Sequence, residues 1–431
     1  MIALPADHPL RLPLADEVHA RPFEPVPTPS RLTYVALLVD GEHRDQERAH
    51  LARLLARFDQ PAPDGQATQL RLTLGTLRLK WERHGEFSGY TVIAPGADAA
   101  APFDRTAGEQ LPADWLQSLP GRTVVAAHAT LLPAPPDASE HPPYVSDIAP
   151  HFGGHTIVGA RIGEGVGFAY TDFRVHGDGC SRFLVYDAGF NPFQAGRMIQ
   201  RLFEIEAYRM LALLALPIAR RQSPRIVAIE KSLAELTDGI AREDGREEAL
   251  LHELTRLAAE VESGLAASQF RFGACRAYSE LVQTRIHELR ETRLPGLQTI
   301  EEFMARRFTP AVSTCNTISQ RLHDLSDRVA QASSLLATRV GIAREHQNQQ
   351  LLASMDRRAK LQLRLQQTVE GLSVAAILYY LVGLVGYAAK ALGKGGLPVE
   401  PDIVAGLSVP VLGAIVFLAL RRTRKRLQGE A

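Results

Sequence analysis

Three short polar clusters in the N-terminal half of the chain carry the residue types that could bind a ligand or catalyse a reaction. They are residues 19–23 (HARPF), 81–87 (WERHGEF) and 171–176 (TDFRVH). An arginine fork binds anions or pairs with carboxylates, and histidine and carboxylates bind cations. We therefore take seven candidates for a ligand site: His19, Arg21, Arg83, His84, Glu86, Asp172 and Arg174. Because ion pairs at strand edges are common, a shared site requires the three clusters to converge in one cleft.

The second cluster has the alternation of a strand. If the strand continues through it, Glu82, His84 and Glu86 share one face. Such a face could hold a divalent cation, which we keep as an expected partner, with the cofactor and metal ligands left open. The alternative is a set of ordinary ion pairs at a strand edge.

Motifs of common enzymes are missing from the sequence. Residues 163–167 (GEGVG) are not followed by the GK[ST] of a phosphate-binding loop, and glycines in a hairpin are the better interpretation. The sequence contains no GxSxG, HExxH or paired-cysteine metal motif. A net charge of +0 over 431 residues argues against nucleic acid as a partner. The balance favours a non-enzymatic protein.

The elements that would position these clusters alternate between strand and helix. Strands are predicted at 31–40, 70–81, 87–94 and 122–132, with several short ones between 155 and 185. Helices are predicted at 43–58, around Trp115, and at 194–219, the last packing against the sheet. Strands mixed with helices, followed by helices alone, predict an α+β chain with an N-terminal α/β domain.

Apolar residues step by three and four along the helical region. Examples are Ile226, Ile229 and Leu233, and later Ile318, Leu322 and Leu325. This spacing predicts a coiled-coil-like helix–helix seam. Thr309-Pro310 has the signature of a helix start, and the helix that follows could continue to Glu370 as a rod of about 90 Å.

Two uncharged apolar runs lie near the C-terminus, 19 residues at 371–389 and 18 at 403–420. Each approaches the roughly 20 residues that a membrane span needs. Basic residues before the first run and after the second predict a two-helix transmembrane hairpin in the inner membrane, with both termini cytoplasmic. Residues expected to mediate packing between spans or to line a pore are Tyr379, Tyr380, Gly383, Gly386, Gly406 and Gly413.

These patterns predict eight segments along the chain. They are an extended arm (1–30), an α/β domain (31–192), a helical region (193–308), a stalk helix (309–368), transmembrane helix 1 (369–392), an outer turn (393–402), transmembrane helix 2 (403–420) and a basic cytoplasmic tail (421–431). Cys180, Cys275 and Cys315 form no close pair, which suits a reducing compartment.

Four segments resemble one bacterial membrane-anchored family, the domain of unknown function 3422. They are LADEVHARPFEP (14–25), WERHGEFSGYT (81–91), TDFR (171–174) and GRMIQRLFEIEAYRMLALLALPIAR (196–220). The resemblance implies a membrane anchor but no activity or site residue. The layout is also similar to that of CorA-like magnesium channels, although residues 386–392 (GYAAKAL) lack their Gly-Met-Asn signature.

Three functions remain open at this point. The first is a membrane-anchored, homo-oligomeric scaffold or sensor that assembles through its stalk and spans. The second is a CorA-like cation pathway. The third is a tethered enzyme or ligand-binding domain that uses the seven polar candidates.

Overall fold

The computed structural model describes residues 5–19, 22–65, 67–136, 138, 143, 145–242, 247–394 and 400–428. The chain divides into two compact units, Met1–Ser333 and Ser334–Ala431. Mixed α and β structure in the first unit and long helices confirm the α+β class predicted from the sequence.

The helices account for most of the described chain. In order they are α1 (Arg11–His19), α2 (Arg44–Ala56), α3 (Ala113–Gln117), α4 (Val145–Ile148), α5 (Pro192–Leu213), α6 (Leu216–Arg242), α7 (Glu247–Leu289), α8 (Ile300–Arg307), α9 (Thr309–Lys394) and α10 (Pro401–Gln428). Helix α9 begins at the predicted Thr309 and continues through the first apolar run.

A nine-stranded sheet forms the centre of the first unit. Its strands are β1 (Ser30–Leu38), β2 (Gln69–Leu74), β3 (Leu77–Arg83), β4 (Phe87–Pro95), β5 (Arg122–Pro133), β6 (Val158–Ile162), β7 (Gly167–Thr171), β8 (Ser181–Asp187) and β9 (Thr292–Arg293). The order across the sheet is β2-β3-β4-β1-β5-β8-β7-β6-β9. Neighbouring strands are antiparallel except β5 and β8, which are parallel.

Apolar side chains cover both faces of this sheet. On one face α2 and α3 pack on β1 to β4 around the fully buried Trp81 and Trp115. On the other face α5 packs through Phe203, whose ring stacks on Tyr34 at 5.1 Å and meets Phe183 edge-on at 6.1 Å. The predicted packing of this helix against the sheet is therefore confirmed.

The structure corrects three local predictions. The strand expected at 70–81 is a hairpin, because Gly75, with φ of +65°, turns the chain between β2 and β3. The helix expected at 194–219 is divided between α5 and α6 just before Pro217, whose ring restricts the preceding backbone. The arm at 1–30, which was expected to be extended, contains α1.

The apolar stripe predicted in the last long helix contacts helices of the same chain. Leu322 is buried, and its Cδ2 lies 3.7 Å from the position that a Cβ on Gly264 of α7 would take. Arg321 pairs with Glu230 of α6 at 2.7 Å. The first part of α9 therefore packs on α6 and α7 within the first unit.

The second unit contains the rest of α9 and all of α10, and both helices are long and apolar enough to cross a membrane. The best 18-residue windows have a mean hydropathy of 1.9 in α9 and 2.2 in α10. Length and composition alone support this statement.

Candidate functional site

Asp172 lies at the centre of three side chains that could hold a metal ion, called the His–Asp–His centre below. Its side chain has 0 % exposure, and its Oδ2 lies 2.9 Å from His155 Nδ1 and 3.1 Å from His176 Nε2. The ligand atoms of the three residues all lie within 4.8 Å of one another. Two ligand atoms that are each about 2.1 Å from one ion, at angles of about 90–110°, are roughly 3.0–3.4 Å apart. Both distances to Asp172 are close to that range.

A backbone hydrogen bond fixes the orientation of the central carboxylate. The N–H of Arg174 donates to Asp172 Oδ1 at 3.1 Å. Contacts of this kind orient the carboxylate ligands of metal sites. Side-chain exposure rises from 8 % at His176 to 38 % at His155, so the centre is open to solvent on the His155 side.

Strand pairing brings the three residues together. Val158 of β6 pairs with Thr171 of β7, so the chain before β6 runs beside the chain after β7. His155 precedes β6 after a reversal at two glycines, Gly153 and Gly154, whose φ values are +64° and +74°. Asp172 directly follows β7, and His176 comes four residues later.

The turn after β7 contains an unusual aromatic residue. Phe173 has a φ of +52°, a region that bulky L-residues rarely adopt. Its ring stacks on Phe303 of α8 at 4.9 Å and meets Phe183 of β8 at 6.0 Å. The guanidinium of Arg209 lies 5.5 Å from the same ring centroid. This packing holds the turn so that Asp172 and Arg174 flank a fixed ring.

A cavity of about 410 Å³ adjoins the centre and is called the arginine cavity here. Its polar lining includes one carboxylate, Asp172, and four guanidinium groups, from Arg174, Arg209, Arg306 and Arg307. Phe173, Phe303 and Phe308 supply an apolar wall. The cavity therefore combines a concentration of positive charge with aromatic surface.

One of these arginines is matched by a buried carboxylate. Arg209 Nη2 donates to Glu206 Oε1 at 2.6 Å and to Oε2 at 2.7 Å, and its side chain is 14 % exposed. Arg174, Arg306 and Arg307 are exposed. No carboxylate in the described ranges forms an ion pair with these three.

The second polar cluster lies elsewhere on the sheet. Arg83 ends β3, and His84 and Glu86 lie in the turn before β4, so the single strand face expected for Glu82, His84 and Glu86 is wrong. Glu86 pairs with Arg271 of α7, and the His84 ring stacks on Phe87 at 4.2 Å.

The distance between the clusters follows from the strand order. Four strand spacings separate β4 from β7, which is roughly 19 Å. The structure thus brings Asp172 and Arg174 together and keeps Arg83, His84 and Glu86 apart from them. His19 ends α1, but its side chain and the whole of Arg21 lie outside the described residues.

The residues chosen in the apolar runs differ in their surroundings. A Cβ on Gly386 would lie 3.6 Å from Ala405 Cβ, and one on Gly413 would lie 3.9 Å from Leu378 Cδ2, so α9 and α10 approach closely there. Gly383 and Gly406 have open space around them. Tyr379 and Tyr380 are 78 % and 72 % exposed.

Sequence reasoning missed His155 and three of the arginines, and it left His176 of the third polar cluster out of the seven candidates. The hairpin predicted around residues 163–167 held the signal, because extending its register places residue 155 beside residues 172–174. Arg209, Arg306 and Arg307 lie on α5 and α8, and only tertiary packing brings these helices to the turn after β7.

Comparison with known proteins gives one match. No curated protein and no solved structure matches the chain, so the likeness to CorA-like channels has no support. The model of the family described as protein of unknown function (DUF3422) matches residues 6–427, which include all four segments that carry the resemblance. This coverage shows that the chain belongs to the DUF3422 family.

Proposed function

We propose that this protein is a membrane-anchored metal-binding protein whose first unit holds a divalent transition-metal cation at the His–Asp–His centre. The convergence of His155 Nδ1 and His176 Nε2 on one Asp172 oxygen carries the proposal. A buried carboxylate needs a charged partner or a metal ion beside it. The partners of Asp172 are two imidazoles, and imidazole is the commonest metal ligand in proteins.

The donor set favours zinc-type cations over magnesium or calcium. Two imidazole nitrogens and one carboxylate oxygen suit zinc and related first-row metals, whereas magnesium and calcium prefer oxygen ligands alone. Three protein ligands leave a coordination position for water or a bound molecule. Binding at such a position is therefore the activity that this site supports.

Metal titration of the full chain in detergent tests the proposal. After chelator treatment, we expect one equivalent of Zn²⁺ to bind by isothermal titration calorimetry. His176→Ala and Asp172→Asn each remove a ligand and should weaken binding by at least about 10-fold, or 1.4 kcal/mol.

The matched control is His252→Ala, which removes an exposed histidine on α7. It should bind Zn²⁺ as the unsubstituted protein does. Equal affinity in the His176→Ala and His252→Ala variants would show that the three residues form a hydrogen-bonded cluster and hold no ion.

We further propose that α9 and α10 anchor the protein as a two-helix hairpin with both termini cytoplasmic. Apolar runs in the core of a soluble protein are buried. Here only 6 % of the best 18-residue apolar window in α9 is buried, and 0 % of the one in α10. Arg421 and Arg422 follow the second run, as expected for its cytoplasmic end. Of the predicted outer turn at 393–402, residues 395–399 lie outside the described residues.

A further inference from the structure

We infer that the arginine cavity binds the phosphate group of a small phosphomonoester. Arg174 reaches the cavity from the turn after β7, and Arg306 and Arg307 reach it from the last turn of α8. The inference goes beyond the metal centre, because these guanidinium groups would bind an anion with or without a metal cation at that centre.

The charge balance of the cavity carries the first step of the argument. Arginine stays protonated in proteins, so four positive charges face a single lining carboxylate. Glu206 matches Arg209, and Asp172 is engaged with two histidines and a backbone N–H. Three guanidinium groups remain without an ion-pair partner in the described part of the chain. A cavity lined by charge of one sign concentrates the opposite charge, so this one should attract an anion.

Helix electrostatics explain only part of this arrangement. Basic residues in the last turn of a helix interact favourably with its dipole, and this accounts for Arg306 and Arg307 on α8. It does not account for Arg174, which lies on a different segment and whose position is fixed by the constrained turn at Phe173. Convergence from two segments is typical of a binding site.

The shape and lining of the cavity favour a phosphomonoester. A phosphate dianion offers several acceptor oxygens to guanidinium forks, which bind phosphate in a bidentate manner. The volume of about 410 Å³ suits a small molecule. Phe303 and Phe308 provide an apolar surface for the organic part of the ligand. A soluble phosphate ester and the headgroup of a phosphatidate lipid share this chemistry.

Calorimetric titration of the full chain in detergent, with chelator present, tests the inference. The two probes are glycerol 3-phosphate and dihexanoyl phosphatidate, which differ by two acyl chains. We expect saturable binding of at least one probe with one site per chain. A preference for the first identifies a soluble ester as the source, and a preference for the second identifies a lipid headgroup.

Substitutions separate the cavity from general surface charge. Arg174→Gln and Arg306→Gln should each weaken binding by at least about 10-fold. The control Arg221→Gln removes an exposed arginine on α6 and should change binding by less than about 2-fold. Because all three substituted side chains are exposed, the three variants should have the same thermal unfolding midpoint.

Two results would overturn the inference. One is the absence of saturable binding of both probes. The other is an equal loss in the Arg221→Gln and Arg174→Gln variants, which would indicate non-specific attraction. The His176→Ala variant separates the two proposals, because it should lose zinc binding and retain phosphate-ester binding.

Discussion

Phe173 links the two candidate binding features at the level of a single residue. A bulky residue in the left-handed region stores strain of about 1–3 kcal/mol and persists only where the surroundings hold it. Here two aromatic rings and the Arg209 guanidinium provide that constraint. The residues on either side, Asp172 and Arg174, belong to the centre and the cavity respectively. Any shift of this turn would therefore move both.

His128 should make the stability of the first unit depend on pH. Burial lowers the pKa of His128 below its ordinary 6.5, with Arg182 acting in the same direction and the nearby Asp178 and Glu109 opposing it. Thr33 Oγ1 accepts from the Gly108 N–H at 2.8 Å, so its own proton can be donated to His128 Nδ1, 3.0 Å away. Protonation makes that nitrogen a donor, so it could no longer accept the Thr33 proton.

The sign of the effect follows from proton linkage. The unfolded chain binds a proton at this histidine more readily than the folded chain, so stability falls as pH falls below about 6.5 and levels off below the folded pKa. We expect the thermal unfolding midpoint of the chelator-treated protein to fall between pH 7.5 and 5.5. His128→Gln should reduce that fall.

Other histidines also contribute to the pH dependence of stability. Burial also lowers the pKa values of His50 and His151, so the His128→Gln variant should keep part of the dependence. The exposed His252 on α7 serves as the control, and His252→Gln should leave the full dependence in place. If the thermal unfolding midpoint of His128→Gln falls with pH as steeply as that of the unsubstituted protein, the prediction is contradicted.

At the scale of elements, one glycine determines how α5 meets the N-terminal arm. A Cβ on Gly196 would lie 1.8 Å from the Glu24 carbonyl oxygen. The arm cannot easily retreat, because Val26 N–H donates to Pro192 O at 2.8 Å and Glu24 pairs with Arg71 at 2.9 Å. Gly196→Ala should therefore destabilise the first unit by about 1–3 kcal/mol, measured as a lower thermal unfolding midpoint.

Gly273→Ala is the matched control for this substitution. Gly273 lies within α7, and a Cβ there would meet no atom within 4 Å. Alanine favours the helix by up to about 1 kcal/mol over glycine, so this variant should be as stable as the unsubstituted protein or more so. Equal destabilisation of the two variants would show that the arm does not constrain α5.

The strands and helices were largely predictable because they depend on local patterns. Alternation and turn residues gave β1, β4 and β5 to within about two residues, and the packing of α5 against the sheet was also predicted. The turn at Gly75 was missed because apolar residues alternate on both sides of it. The available signal was Gly75 itself, because glycine is the usual residue where a turn requires a positive φ.

The candidate site was less predictable because it depends on pairing between distant segments. Asp172 and Arg174 were chosen for their residue types, yet the choice could not separate them from Arg83, His84 and Glu86. Separation of the two groups follows from the strand order, which places β1, β5 and β8 between β4 and β7. Sequence alternation assigns a residue to a face but does not assign a strand to its place in the sheet.

At the scale of the whole molecule, the chain itself buries part of the seam that suggested self-association. Ser326 of α9 donates to Glu262 of α7 at 2.8 Å, and Leu325 and Val329 are buried. A three-and-four spacing predicts a helix partner but does not say whether that partner belongs to the same chain. For this stretch of α9, α6 and α7 are sufficient partners.

The proposed hairpin predicts which parts of the chain face each side of the membrane. Basic residues after α10 should stay cytoplasmic, and the turn between α9 and α10 should lie on the opposite side. Single cysteines at Ser146→Cys, Glu400→Cys and Gln428→Cys report on the first unit, the turn and the tail. The native cysteines are buried and should give little background with a membrane-impermeant maleimide.

Labelling in vesicles of opposite orientation separates the outcomes. In inverted inner-membrane vesicles Ser146→Cys and Gln428→Cys should react while Glu400→Cys is protected, and right-side-out vesicles should give the reverse. Detergent should expose all three, which controls for local burial. If all three positions react from the same side, α9 and α10 do not cross the bilayer, and their apolar surfaces must be covered by protein because exposed runs of this length are not stable in water.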